Sequence, residues 1–140
     1  MADSVGTRRE ARERVLSLLY EAEAKGCAPG DVLTEQVLAP DEFVTDIVVG
    51  VGEFQAESDA LIRRFSKGWS LERMPVIDRS LLRMAIYELG HRPDVPTGAV
   101  ISEAVELAKR YSTDDSGKFV NGMLASIAHE LRGDEAISTD

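Results

Sequence analysis

Residues 114–131 read DDSGKFVNGMLASIAHEL. Val120, Leu124, Ile127 and Leu131 recur at steps of four, three and four, the spacing of one helix face. Asp114 and Asp115 suit the positive end of that helix's dipole, and Thr113 or Asp114 serves as its N-cap. Two glycines disturb the pattern. Gly117 and Gly122 flank Lys118, Phe119, Val120 and Asn121, and a glycine costs about 1 kcal/mol relative to alanine inside a helix. A chain that keeps them needs either close helix packing or a close visitor at the helix face.

Outward from this stretch the helical period continues. PTGAVISEAVELAKRY places Val100, Ala104, Leu107, Ala108 and Tyr111 on one face, and Glu106 and Arg110 form an i,i+4 pair in the favourable order. VIDRSLLRMAIYELGHR sets Ile77, Leu81, Leu82, Ala85 and Leu89 on another and ends near Gly90, with Pro75 forcing a boundary before it. A short helical turn precedes that boundary, with Ser70 as N-cap and Trp69 and Met74 spaced as a hydrophobic staple. Residues 41–69 read as one long helix, with Phe43, Ile47, Phe54, Leu61 and Phe65 apolar and a break admitted at Gly50 and Gly52. A short helix is expected between Pro29 and Pro40. In RREARERVLSLLYEAEAKG, Ala11, Val15, Leu18, Leu19 and Ala22 make the first stripe, closed by Lys25 and Gly26. No segment alternates with period two. The expected fold is all-α, with about seven helices in one domain over residues 1–132; the acidic tail 133–140 is expected to be disordered.

The composition excludes several classes. The chain has 140 residues, 44% of them hydrophobic and 29% charged, as in an ordinary globular domain. No apolar run nears the roughly 20 residues a membrane span requires, and no secretory signal is expected from the N-terminal residues. One cysteine, Cys27, permits no internal disulfide and suits a reducing compartment, so the cytoplasm is expected. His91, His129 and Cys27 match no metal-ligand spacing, and no phosphate loop, dinucleotide fingerprint or nucleophile elbow is present. The expectation is no catalysis, no metal and no cofactor.

Charge is unevenly placed. The net charge is −9, yet residues 8–14 hold Arg8, Arg9, Arg12 and Arg14 against Glu10 and Glu13. At about 100° per residue, Arg9, Arg12, Leu16 and Tyr20 form a stripe beside the apolar face, with Arg8 next to Arg12. Guanidinium groups in a row suit phosphates, and an aromatic at the row's end suits an unpaired base. The structural alternative pairs Glu13 with Arg9 and buries Tyr20, and composition alone favours it, since charge runs are usually solvated faces. Arginines at a helix N-terminus oppose the dipole, a placement that an anion compensates. Asp78 and Arg79 read as a dipole contact and an ion pair, while Tyr87 and Glu88 are equally read as core tyrosine and surface glutamate or as functional groups.

Three segments together resemble one family. RREARERVLSLLYEAE, MPVIDRSLLRMAIYEL and ISEAVELAKRYSTDDSGKFVNGMLASI, in that order, are similar to NusB, the bacterial transcription antitermination family, from about Arg8 to Arg132. The resemblance implies two packed helical subdomains. It also implies binding to boxA RNA of ribosomal RNA leaders jointly with NusE, a ribosomal small-subunit protein, within an RNA polymerase antitermination complex. By the same resemblance Arg8, Arg9 and Arg12 contact RNA, with Tyr20 at the end of their stripe. Lys118, Phe119 and Asn121 are further RNA candidates, and Tyr87, Glu88 and Asp115 fall to the NusE side. Glu10 stands where the family often carries another basic residue. The glycines then divide: Ser116 and Gly117 let a nucleotide backbone reach exposed amides at the helix start, and Gly122 permits close helix packing.

Two rivals stand beside this reading. A similar helical domain forms the N-terminal part of a ribosomal RNA cytosine methyltransferase, which requires a methyltransferase domain alongside. A helical adaptor or homodimer would instead bury the basic stripe against protein, and dimer and RNA would compete for one face.

Overall fold

The computed structural model describes residues 5–37 and 40–133, with side chains from residue 8 onward. Seven α-helices and one 3-10 turn account for the regular structure of these residues: α1 Val5–Lys25, α2 Pro29–Leu33, α3 Glu42–Glu53, α4 Gln55–Ser66, the 3-10 turn Leu71–Arg73, α5 Val76–His91, α6 Thr97–Tyr111 and α7 Asp114–Arg132. The all-α expectation holds. Apart from Gly133, the acidic tail lies outside the described residues.

Local chemistry sets the helix ends. Thr113 is the N-cap of α7, its hydroxyl accepting from the Ser116 amide at 2.9 Å. Asp41 caps α3 in the same way through the Val44 amide. The long helix expected over residues 41–69 is two helices. They part at Phe54 (φ −108, ψ 21), two residues after Gly52, where the weakness was legible. The helix expected between Pro29 and Pro40 is a single turn and a half that stops at Leu33. Ser70 precedes the 3-10 turn without making a side-chain cap.

α1, α2 and α3 pack on one another, and α5, α6 and α7 form a second group. α5 belongs to both: it touches α1 and α3 on one side and α4, α6 and α7 on the other. Its burial follows, with every residue from Ser80 to Leu89 buried, polar ones included. The predicted stripes of α1, α6 and α7 point into this core, except that Tyr111 and Leu131 remain 49% and 38% exposed at the helix ends. Arg132 closes the last helix onto the α5 C-terminus, donating to the carbonyls of Glu88, Leu89, Arg92 and Val95 and to Thr97 Oγ1 at 2.8–3.1 Å. A cation at that negative helix end is favourably placed. Among the described residues, no helix is long and apolar enough to cross a membrane, and no cluster of His, Cys, Asp and Glu is disposed to hold a metal ion.

Candidate nucleic-acid interface

The basic stripe of α1 runs beside α5 and α6, and its members meet different fates. Arg9 donates from Nε and Nη2 to the two oxygens of Glu103 at 2.9 and 2.7 Å. Those bonds, aided by the Arg9 charge, hold the Glu103 carboxyl below the usual range against the cost of its burial. Arg9 still keeps 40% of its side chain open to solvent. Arg8 is half-buried, its guanidinium 4.1 Å from the centre of the Phe43 ring, with Arg92 5.0 Å from the same ring. Tyr20, at the far end of the stripe, is exposed.

Arg12 departs from the sequence reading. It is buried, and it grips Glu88 through Nη2 and Nε at 2.7 and 3.0 Å. The reason is α5, which crosses the middle of the stripe and covers Arg12 and Leu16 while leaving both ends outside. Glu88, read as a NusE-side residue, is therefore buried too. So is Tyr87, whose hydroxyl donates to Asp46 Oδ1 at 2.7 Å and whose ring stacks against His91. Burial, together with that bond to a carboxylate, pushes the Tyr87 hydroxyl up to about 12. These three residues hold α1, α3 and α5 together and offer no surface to a partner.

The start of α7 also differs from expectation. Ser116 is buried, its hydroxyl donating to Asp78 Oδ2 at 2.7 Å, while its amide is taken by the Thr113 cap. The Gly117 amide donates to Thr113 O. Neither amide is open to a nucleotide. The glycine assignment is reversed: a Cβ on Gly117 would stand 2.9 Å from Lys109 Cγ, whereas one on Gly122 would meet nothing within 4 Å. Gly117 therefore lets the Lys109 stem lie across α7, and Gly122 is solvent-facing.

A chain of contacts nevertheless joins the two candidate regions. Glu13 of α1 accepts from Arg110 and Tyr111 at the end of α6, at 2.7 and 3.0 Å. This replaces both the Arg9–Glu13 and the Glu106–Arg110 pairs that local spacing suggested. Lys109, next to Arg110, lies over Gly117. Beyond it Lys118, Asn121 and Asp115 are exposed, and half-buried Phe119 meets Trp69 edge-on, ring centres 4.7 Å apart and planes at 72°. Trp69 escaped the sequence reading as a functional residue, although its neighbourhood, RRFSKGWSLER, mixes cations with an aromatic.

Comparison with known proteins bears on this arrangement. A family model described as the NusB family matches residues 9–129. The transcription antitermination protein NusB of Kineococcus radiotolerans is 46% identical over 89% of this chain and 94% of its own length. The solved structure of T. maritima NusB superposes with a TM-score of 0.82 at 38% identity, covering 92% of this chain and 95% of that one. A crystal structure of antitermination factors NusB and NusE in complex with double-stranded RNA contains a chain that matches with a TM-score of 0.74 at 28% identity. That match covers 88% of this chain and 96% of the other.

Proposed function

The chain belongs to the NusB family, and from that membership we propose that it is a transcription antitermination factor. It binds boxA-type RNA of ribosomal RNA leaders together with NusE and joins the elongating RNA polymerase complex. The likeness to a transcription antitermination protein over 94% of that protein's length carries the reading, and the solved complex of NusB with NusE and RNA supports the pairing of partners. The protein works by binding rather than by catalysis, in the bacterial cytoplasm where transcription takes place, and no cofactor enters.

The RNA face of this reading is what the structure leaves accessible: Arg8, Arg9 and Tyr20 on α1, then Lys118, Phe119 and Asn121 on α7. Asp115, exposed and acidic, is assigned to the NusE side. Arg12, Ser116, Gly117, Tyr87 and Glu88 support these surfaces from beneath. With a net charge of −9, most of the surface repels phosphate, so RNA binding by this protein alone is weak. NusE adds a second RNA-binding surface and raises effective concentration. Titrating labelled boxA RNA with the protein, with and without NusE, tests this. NusE is expected to tighten binding markedly, and an affinity that NusE leaves unchanged would remove the reading's main support.

A further inference from the structure

We propose that the segment between α4 and α5 belongs to the RNA-binding surface: a base of single-stranded RNA stacks on Trp69 beside Phe119, and Lys67, Arg73 and Lys118 take the adjoining phosphates. This rests on the reading of the protein as an RNA-binding factor and adds a stacking residue and a phosphate track to it.

Trp69 is held outward. α4 ends at Lys67 in the left-handed region (φ 53), followed by Gly68 at φ 93. Two successive left-handed residues turn the chain sharply, and a lysine there is uncommon. Ser66 pins the turn, its hydroxyl donating to Trp69 O at 2.9 Å. The indole ends 38% exposed, an arrangement that wastes apolar surface on water unless something covers it. Its edge-to-face contact with Phe119 leaves at least one face of each ring uncovered by the other. Stacking on such faces is how single-stranded nucleic acid is gripped without base-specific hydrogen bonds.

Charge points to the same occupant. Arg9 and Arg12 of α1 are already matched by Glu103 and Glu88, so a phosphate there competes with a carboxylate in place. The side chains of Lys67, Arg73 and Lys118 have no hydrogen-bond or ion-pair partner among the described residues. Residues 63–73 hold Arg63, Arg64, Lys67 and Arg73 against Glu72 alone, in a protein that is acidic overall. Unneutralised cations close along the chain to an exposed indole fit a polyanion with exposed bases.

Trp69 is the only tryptophan in the chain and so reports on itself. The experiment titrates single-stranded boxA-type RNA, reading indole fluorescence and the anisotropy of the labelled RNA in parallel, at several salt concentrations and with NusE present. The expected result is quenching with the same midpoint as the anisotropy change. Trp69→Ala should weaken binding about 5- to 150-fold, and Trp69→Phe should recover most of the loss. Replacing Lys67 and Arg73 together with alanine should lower the log–log salt slope by about 1.4. If RNA binds while fluorescence stays constant and Trp69→Ala binds like the parent, the proposal is overturned and the RNA-binding reading stands. Quenching by NusE alone, with no further change on adding RNA, would also overturn it and mark the segment as a protein contact. Absence of RNA binding by either readout would overturn both.

Discussion

Arg12 of α1 and Glu88 of α5 form a bidentate ion pair, at 2.7 and 3.0 Å, whose side chains are only 5% and 2% exposed. Two charges so far from water are tolerated because each satisfies the other. Removing one leaves an uncompensated buried charge, at a cost of about 3–5 kcal/mol. Arg12→Ala and Glu88→Ala should each destabilise by that order in denaturant unfolding, and the double variant by much less than their sum. Among molecules that remain folded, Arg12→Ala should leave the salt slope of RNA binding unchanged, while Arg9→Ala should lower it by about 0.7.

The two glycines of α7 give a paired test. Gly122 has open space around it and sits in a helix interior, so Gly122→Ala should raise stability by about 0.5–1 kcal/mol. Gly117→Ala carries the same helix gain but drives a methyl into Lys109 Cγ, so its melting temperature should fall below that of Gly122→Ala. Equal melting temperatures would mean that the Lys109 stem moves aside freely.

Tyr87 predicts the alkaline limb of stability. Its hydroxyl titrates near 12 in the folded protein, against about 10 when unfolded. Below about 10 both states are protonated and its contribution is fully present. As pH rises from there towards 12 the unfolded chain loses the proton first, so stability falls. Denaturation midpoints across this window should drop for the parent and drop less for Tyr87→Phe.

Arg132 predicts that charge is not enough. Its fork reaches five acceptors around the α5 C-terminus and the α5–α6 connection. A lysine keeps the charge and loses the geometry. Arg132→Lys should cost about 1.5–3 kcal/mol in chemical denaturation, and a parent-like midpoint would reduce these contacts to decoration.

Local periodicity made most of the architecture legible, because Val120, Leu124 and Ile127, or Leu81 and Leu82, announce a helix face without knowing its neighbour. What it missed was set by helices distant in sequence. Arg9, Arg12 and Tyr20 share a face of α1, but only the passage of α5 decides that Arg12 goes under while Tyr20 stays out. Glu13 has Arg9 within one turn, yet it takes Arg110, 97 residues away. Gly117 and Gly122 are indistinguishable along the chain, and the Lys109 stem separates them. Asp115, Lys118 and Asn121 are exposed, each turned away from the buried stripe of α7; that they meet a partner came from the resemblance and not from the period.

The central claim is antitermination through boxA, and terminator read-through measures it. A bacterial transcription extract depleted of its resident NusB, programmed with a template carrying boxA upstream of a terminator, should regain read-through when this protein is added. The gain should vanish when boxA is scrambled. Read-through that the protein leaves unchanged, or raises equally on the scrambled template, would contradict the account.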